Sequence, residues 1–237
     1  EYRDNPKVLS VLASFNPKDI KKREESTKKS KEHLYKKLTE GNIEECVKIY
    51  QYYTKIFNPA DFFDRILKPV MYGIGEDWAT SKISIATEHV ASNVAQTLVK
   101  IIMDGTSGSA NKKKILICVP VGEEHHLGCD VLETYLSIKG FKVYNMGTSM
   151  PTESIINFIE SNKPNIVFIS ITLPDNILAG QRLVRKINNE CKIPILIGGY
   201  AMETEKIPKF DGRVISELNL EELPKIIRSV YLKILRF

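Results

Sequence analysis

Up to Asp104 the apolar positions recur at the spacing of helices buried along one stripe, and beyond Lys114 they gather into short unbroken runs. The first pattern predicts four helices. Lys18 to Gly41 is highly charged and stops at a glycine suited to a left-handed end; its lysines Lys21, Lys22, Lys28, Lys29, Lys36 and Lys37 mostly read as a solvated face, with a nucleic-acid contact as the alternative. Asn42 to Phe57 opens on an asparagine cap, with Glu44-Glu45 in the first turn, where carboxylates suit the helix dipole. Pro59 to Trp78 starts with Asn58 as cap and Pro59 in the first helical position, and Pro69 is expected to kink it. Ser84 to Asp104 carries Ile85, Ala91, Val94, Ala95, Leu98 and Ile102 as an apolar stripe.

The pattern changes at Gly105-Thr106-Ser107-Gly108-Ser109-Ala110-Asn111, whose small residues read as a linker. After it, strands are expected at 114–120, 142–146, 166–171, 195–198 and 213–216, with helices near 127–139, 152–162, 178–190 and 219–236. Mostly continuous apolar strands imply a parallel sheet covered on both faces. The expected fold class is therefore α + α/β: an N-terminal four-helix bundle, then a flavodoxin-like, Rossmann-type doubly wound sheet of five parallel strands. Expected domains are an N-terminal extension at 1–24, the bundle at 25–104, the linker at 105–113 and the sheet domain at 114–237.

Composition adds limits. A chain of 237 residues, 43% hydrophobic and 27% charged, is ordinary for a globular protein. Its net charge of +5 permits an anionic partner without requiring one. No run approaches the ~20 apolar residues that span a bilayer, and Glu1-Tyr2-Arg3-Asp4 does not resemble a signal peptide, so no membrane association is expected. Cys46, Cys118, Cys129 and Cys191 form no Cys-x-x-Cys pair. Cys118 and Cys191 read as reduced, buried thiols, and a cytoplasmic location is expected. The chain opens on Glu1 rather than Met, which leaves open whether it is a fragment of a longer protein.

Candidate chemistry clusters where strands end. Glu123-x-His125-x-x-Gly128 follows the first strand, Ser170-x-Thr172 ends the third, and Gly198-Gly199 ends the fourth. In a doubly wound sheet these loops border one crevice at the carboxyl edge, where ligands bind. Imidazole suits a transition metal, and a carboxylate such as Glu123 orients it through the second nitrogen. Gly128 lets the next helix begin close to the loop. Gly198-Gly199 lets backbone approach a bound group, and Ser170 and Thr172 offer hydroxyls.

Together these three motifs resemble the signature of cobalamin-binding domains, whose commoner pattern is Asp-x-His-x-x-Gly, Ser-x-Leu and Gly-Gly. The resemblance implies that His125 is the lower cobalt ligand in place of the cofactor's dimethylbenzimidazole, with Glu123 as its orienting partner. It implies that Ser170, Thr172, Gly198 and Gly199 line a slot for the displaced tail. Glu for Asp lengthens the carboxylate arm, and Thr172 replaces the family's Leu. His126 is left without a role, facing solvent.

The helical half holds the only tryptophan, Trp78, and after it the pair Glu88-His89. His33 reads as a solvated residue of the first helix. Read alone, Trp78 is a core or interface anchor and Glu88-His89 is charge compensation at a helix start. Trp followed by Glu-His is also similar to the lid of CarH-type adenosylcobalamin-dependent photoreceptor regulators, which share the Glu of Glu-x-His-x-x-Gly. That resemblance covers about residues 25–237. It implies that Trp78 packs on the upper adenosyl group, that Glu88 accepts its hydrogen bonds, and that His89 takes the upper cobalt position after photolysis.

The expected function is a non-enzymatic, light-responsive adenosylcobalamin sensor that regulates transcription, with a homo-oligomer implied. Residues 1–24 are too few for a helix-turn-helix, so DNA would be reached only through a domain or partner outside this chain. The alternative is a corrinoid methyl carrier of a methyltransferase system, with methylcobalamin as cofactor. A mutase would need a further catalytic barrel of ~250 residues.

Overall fold

The computed structural model describes residues 17–55, 57–105, 113–203, 207–216 and 219–234, with side chains described between 24 and 230. Residues 1–16 and most of the expected linker, 106–112, lie outside them. The chain divides into two compact units, Glu1–Val94 and Ala95–Phe237, the division falling inside one helix.

In the first unit, α1 (Pro17–Thr39), α2 (Ile43–Thr54), α3 (Pro59–Phe62) and α4 (Lys68–Ala79) are followed by α5 (Ile85–Asp104), which runs past the division. The caps are those expected. Asn42 Oδ1 accepts the Glu45 N–H at 3.1 Å and Asn58 Oδ1 accepts the Asp61 N–H at 2.9 Å. Residues 17–24, placed by sequence partly in an extension, include the first turn of α1. α1 packs on α2 and α4. Leu34, Leu38, Cys46, Ile49, Tyr53, Phe62, Ile66 and Ile74 are buried.

The expected third helix is not one α-helix. A π turn, Phe63–Leu67, separates α3 from α4, and the Lys68 N–H reaches back five residues to Phe63 O. Pro69 is the physical reason: its ring would clash with the carbonyl four residues back, and it has no N–H to give. The wider turn removes both problems.

The second unit is the expected sheet, all parallel, in the order β2-β1-β3-β4-β5: β1 Lys114–Cys118, β2 Lys142–Asn145, β3 Ile166–Ser170, β4 Ile195–Gly198 and β5 Arg213–Val214. Between and after the strands lie α6 (Leu127–Ile138), α7 (Thr152–Asn162), α8 (Ile177–Glu190) and α9 (Leu223–Ile234). Strand ends fall short of the expected ones: β1 stops at Cys118 rather than Pro120, and β5 is two residues long. The central strands β1, β3 and β4 are buried along almost their whole length, while the edge strands β2 and β5 are only partly covered. Cys118 is buried as expected, but Cys191 is only half-buried. No helix among the described residues is long and apolar enough to cross a membrane.

Candidate functional site

The strand order reverses between β1 and β3, so the loops after these two strands diverge and leave a crevice at their carboxyl ends. Glu123 ties those loops together. A turn closed by Glu123 N–H to Pro120 O at 3.1 Å, with Gly122 at φ +88°, swings its side chain inward until the residue is fully buried. Its Oε1 accepts the N–H of His125 at 3.1 Å and faces His125 Nδ1 at 2.8 Å. Its Oε2 accepts the backbone N–H groups of Thr172 at 2.9 Å and Leu173 at 3.0 Å, and Nδ2 of Asn176 at 3.0 Å. The Glu123 backbone oxygen also accepts Ser149 N–H at 2.9 Å, which adds the loop after β2.

Burial alone would push the Glu123 carboxyl up, but the hydrogen bonds from His125, Leu173 and Asn176 override it and hold it down at about 2. Glu123 is therefore a carboxylate, which only accepts, so His125 Nδ1 must donate. This sets the tautomer in which Nε2 carries the ring's lone pair, as a metal ligand requires. The His125 side chain is 54% exposed.

The other sequence-predicted residues fall at the same edge. Ser170 pairs in register with Gly198. Its hydroxyl meets the thiol of Cys129, which burial pushes up to about 12 and so keeps protonated and inert. A Cβ on Gly128 would meet Ser170 Oγ at 4.0 Å, so the start of α6 lies beside β3. Thr172 contributes its backbone N–H to Glu123.

Gly199 has φ +104°, and a Cβ there would overlap the Ile171 carbonyl oxygen and lie 2.6 Å from the Ile171 nitrogen, so the chain's own backbone requires a glycine here. Gly198 would tolerate a Cβ, whose nearest neighbour would be 3.8 Å away.

His126 corrects the reading further. It does not face solvent: its side chain is 19% exposed, and Nδ1 lies 3.0 Å from Oδ2 of the buried Asp130. Asp130 Oδ1 in turn accepts Asn145 Nδ2 at 2.9 Å, which joins α6 to β2. Sequence reasoning missed Asp130 and Asn176. The only local signal for Asn176 was its place just before the α8 pattern. Asn176→Ala is expected to cost about 1–2 kcal/mol. It is also expected to move acid unfolding to higher pH, because losing a donor raises the Glu123 pKa; a urea melt repeated across pH checks both.

In the first unit, Trp78 closes α4 and the Glu88-His89 pair lies in the first turns of α5. The loop between them is tight. Lys82 and Ile83 N–H groups both reach Asp77 O, at 2.8 and 3.2 Å, while Tyr35 of α1 donates to Asp77 Oδ2 at 2.8 Å. Ser84 Oγ accepts the Thr87 N–H at 3.1 Å and caps α5. Glu88 Oε2 lies 2.7 Å from His89 Nδ1, and Oε1 accepts from Ser92 Oγ at 2.6 Å, so Glu88 already has two protein partners. Trp78 is 46% exposed and the His89 side chain 68%. His33, as expected, is exposed.

The donor set fits a corrinoid. Among the described residues no three His, Cys, Asp or Glu side chains gather to hold a bare ion. A macrocycle that brings its own ring donors would need no such cluster, and His125, with Nδ1 committed to Glu123, would hold its metal through Nε2.

Comparison with known proteins agrees. Residues 113–217 match the family model described as B12 binding domain, and residues 31–103 match a second model of the same description. The HTH-type transcriptional repressor CarH of Myxococcus xanthus is 21% identical over 150 residues, which cover 62% of this chain and 50% of CarH. The chain thus spans about half the length of that relative. Dimethylamine corrinoid protein 1 of Methanosarcina mazei is 24% identical over 182 residues, covering 72% of this chain and 83% of that protein. The structure of the Methanosarcina barkeri monomethylamine corrinoid protein superposes with a TM-score of 0.70 at 16% identity, covering 83% of this chain and 96% of that one, which shows a shared fold. The chain carries a cobalamin-binding domain resembling that of CarH.

Proposed function

We propose that this chain is a non-catalytic adenosylcobalamin sensor that responds to light and acts on transcription through a DNA-binding domain or partner outside this chain. The observation that carries the reading is the exposed Trp78 at the same loop end of the helical unit as the hydrogen-bonded Glu88–His89 pair. Bound cobalamin would supply a cobalt–carbon bond that light breaks. His125 would hold cobalt through Nε2, and Glu123 would keep the ring in that tautomer. Ser170, Thr172 and the Gly128 and Gly198-Gly199 backbone would border the slot for the nucleotide tail. Trp78 would offer a flat apolar face to an adenosyl group, Glu88 would offer acceptor oxygens, and His89 would supply a second imidazole for cobalt.

The test is the absorption spectrum of the purified chain with adenosylcobalamin, dark and then illuminated. A light-induced change is expected, and His125→Ala is expected to abolish the histidine-ligated spectrum. Adenosylcobalamin binding with no spectral change on illumination, beyond that of the free cofactor, would sink the sensor reading. The second reading, a corrinoid methyl carrier, is favoured by coverage: the match takes in 83% of a dimethylamine corrinoid protein but half of CarH. Preference for methylcobalamin, with methyl transfer to a thiol acceptor, would select it.

A further inference from the structure

Gly75 lies inside α4, one turn before Trp78, and nothing in the fold asks for glycine there. It is absent from the positive-φ glycines, and a Cβ built on it would have no atom within 4 Å. An interior helical glycine lowers helix stability relative to alanine. At 3.6 residues per turn, Gly75 and Trp78 point about 60° apart, on one face of α4. Beside an indole that is 46% exposed, the missing side chain leaves a shelf of bare backbone. Ile85, 56% exposed, opens α5 just beyond the loop, and Glu88 places acceptor oxygens one turn further on.

We propose that Gly75 is a specificity-determining residue: its bare backbone admits the planar adenine of the adenosyl ligand edge-on against Trp78, which a side chain at this position would exclude. The inference rests on the adenosylcobalamin reading above. The apolar ring and the carboxylate acceptors suit a flat heterocycle with amino and hydroxyl donors, and a methyl group is too small to need the shelf.

The experiment uses the full chain, with Gly75→Ala and, as control, Gly73→Ala. Gly73 is equally open but lies about 140° from Trp78 around the helix. Both substitutions are expected to raise the melting temperature of the cofactor-free protein by about 2–4 °C. In dark titrations Gly75→Ala is expected to weaken adenosylcobalamin about 10-fold or more, judged by the size of one clashing contact, while methylcobalamin binding changes less than about twofold. Gly73→Ala is expected to leave both affinities as they are. Unchanged adenosylcobalamin affinity in Gly75→Ala, or equal loss of both cobalamins, overturns the assignment. A parent chain that binds methylcobalamin but no adenosylcobalamin overturns the underlying reading instead, and the assignment with it.

Discussion

Replacing Glu123 by alanine is expected to remove roughly 3–5 kcal/mol of stability and to weaken cobalamin binding about 10- to 100-fold. The side chain is fully buried and satisfies three backbone N–H groups, the Asn176 amide and the His125 ring. Alanine removes the acceptor that all of these donors share at the buried Glu123 position, and a buried donor left without an acceptor is expensive. The loss also frees the loops after β1 and β3 from one another, so His125 loses both its tautomer and its position. Urea unfolding and a cobalamin titration measure the two effects.

Glu123→Gln separates charge from shape. The native carboxyl sits at about 2, well below its ordinary 4.5, so it contributes stability that is fully present above pH 4.5 and is lost as pH falls toward 2. The stability gap between the parent and Glu123→Gln should therefore shrink by roughly 3 kcal/mol over that window, from the size of the shift. A gap that is constant with pH would mean that the carboxylate charge is not what holds the crevice together.

Gly199→Ala is expected to cost roughly 3 kcal/mol or more, since a combination of φ +104° and ψ 167° belongs to a region that only glycine occupies readily. The added carbon would also strike the backbone of Ile171, which cannot move without breaking its hydrogen bonds: Ile171 N–H to Gly198 O at 2.9 Å, and Ala201 N–H to Ile171 O at 3.1 Å. For a chain of this size the melting point should fall by about 6–12 °C. The neighbouring Gly198→Ala meets only ordinary contacts and is expected to stay within about 1 kcal/mol of the parent. Equal damage from the two would show that the strain is not local to Gly199.

These contrasts mark where local pattern stops being informative. The apolar runs Ile115-Leu116-Ile117-Cys118 and Ile166-Val167-Phe168-Ile169 announce central strands because both their faces must be covered. The edge strands carry weaker patterns, and β5 came out half as long as expected. Gly199 was legible as a needed glycine, but the backbone that it accommodates is that of Ile171, just after β3 and far away in sequence. Gly180 in α8 likewise gives room to the side chain of the same Ile171. The π turn before Pro69 was foreseen only as a kink.

By itself the sequence determined the parallel sheet, the strand-end positions of Glu123, His125, Ser170 and Gly198-Gly199, and the kinship with cobalamin-binding domains. These follow from hydrophobic period and from residue types at short spacing, which act locally. Only the tertiary structure decided that Glu123 is a buried, five-bonded carboxylate. It alone recruited Asn176 to that carboxylate and turned His126 inward onto Asp130. The reason is physical: a hydrogen bond across the switch point joins residues about fifty positions apart, and only the strand order β2-β1-β3 brings them together.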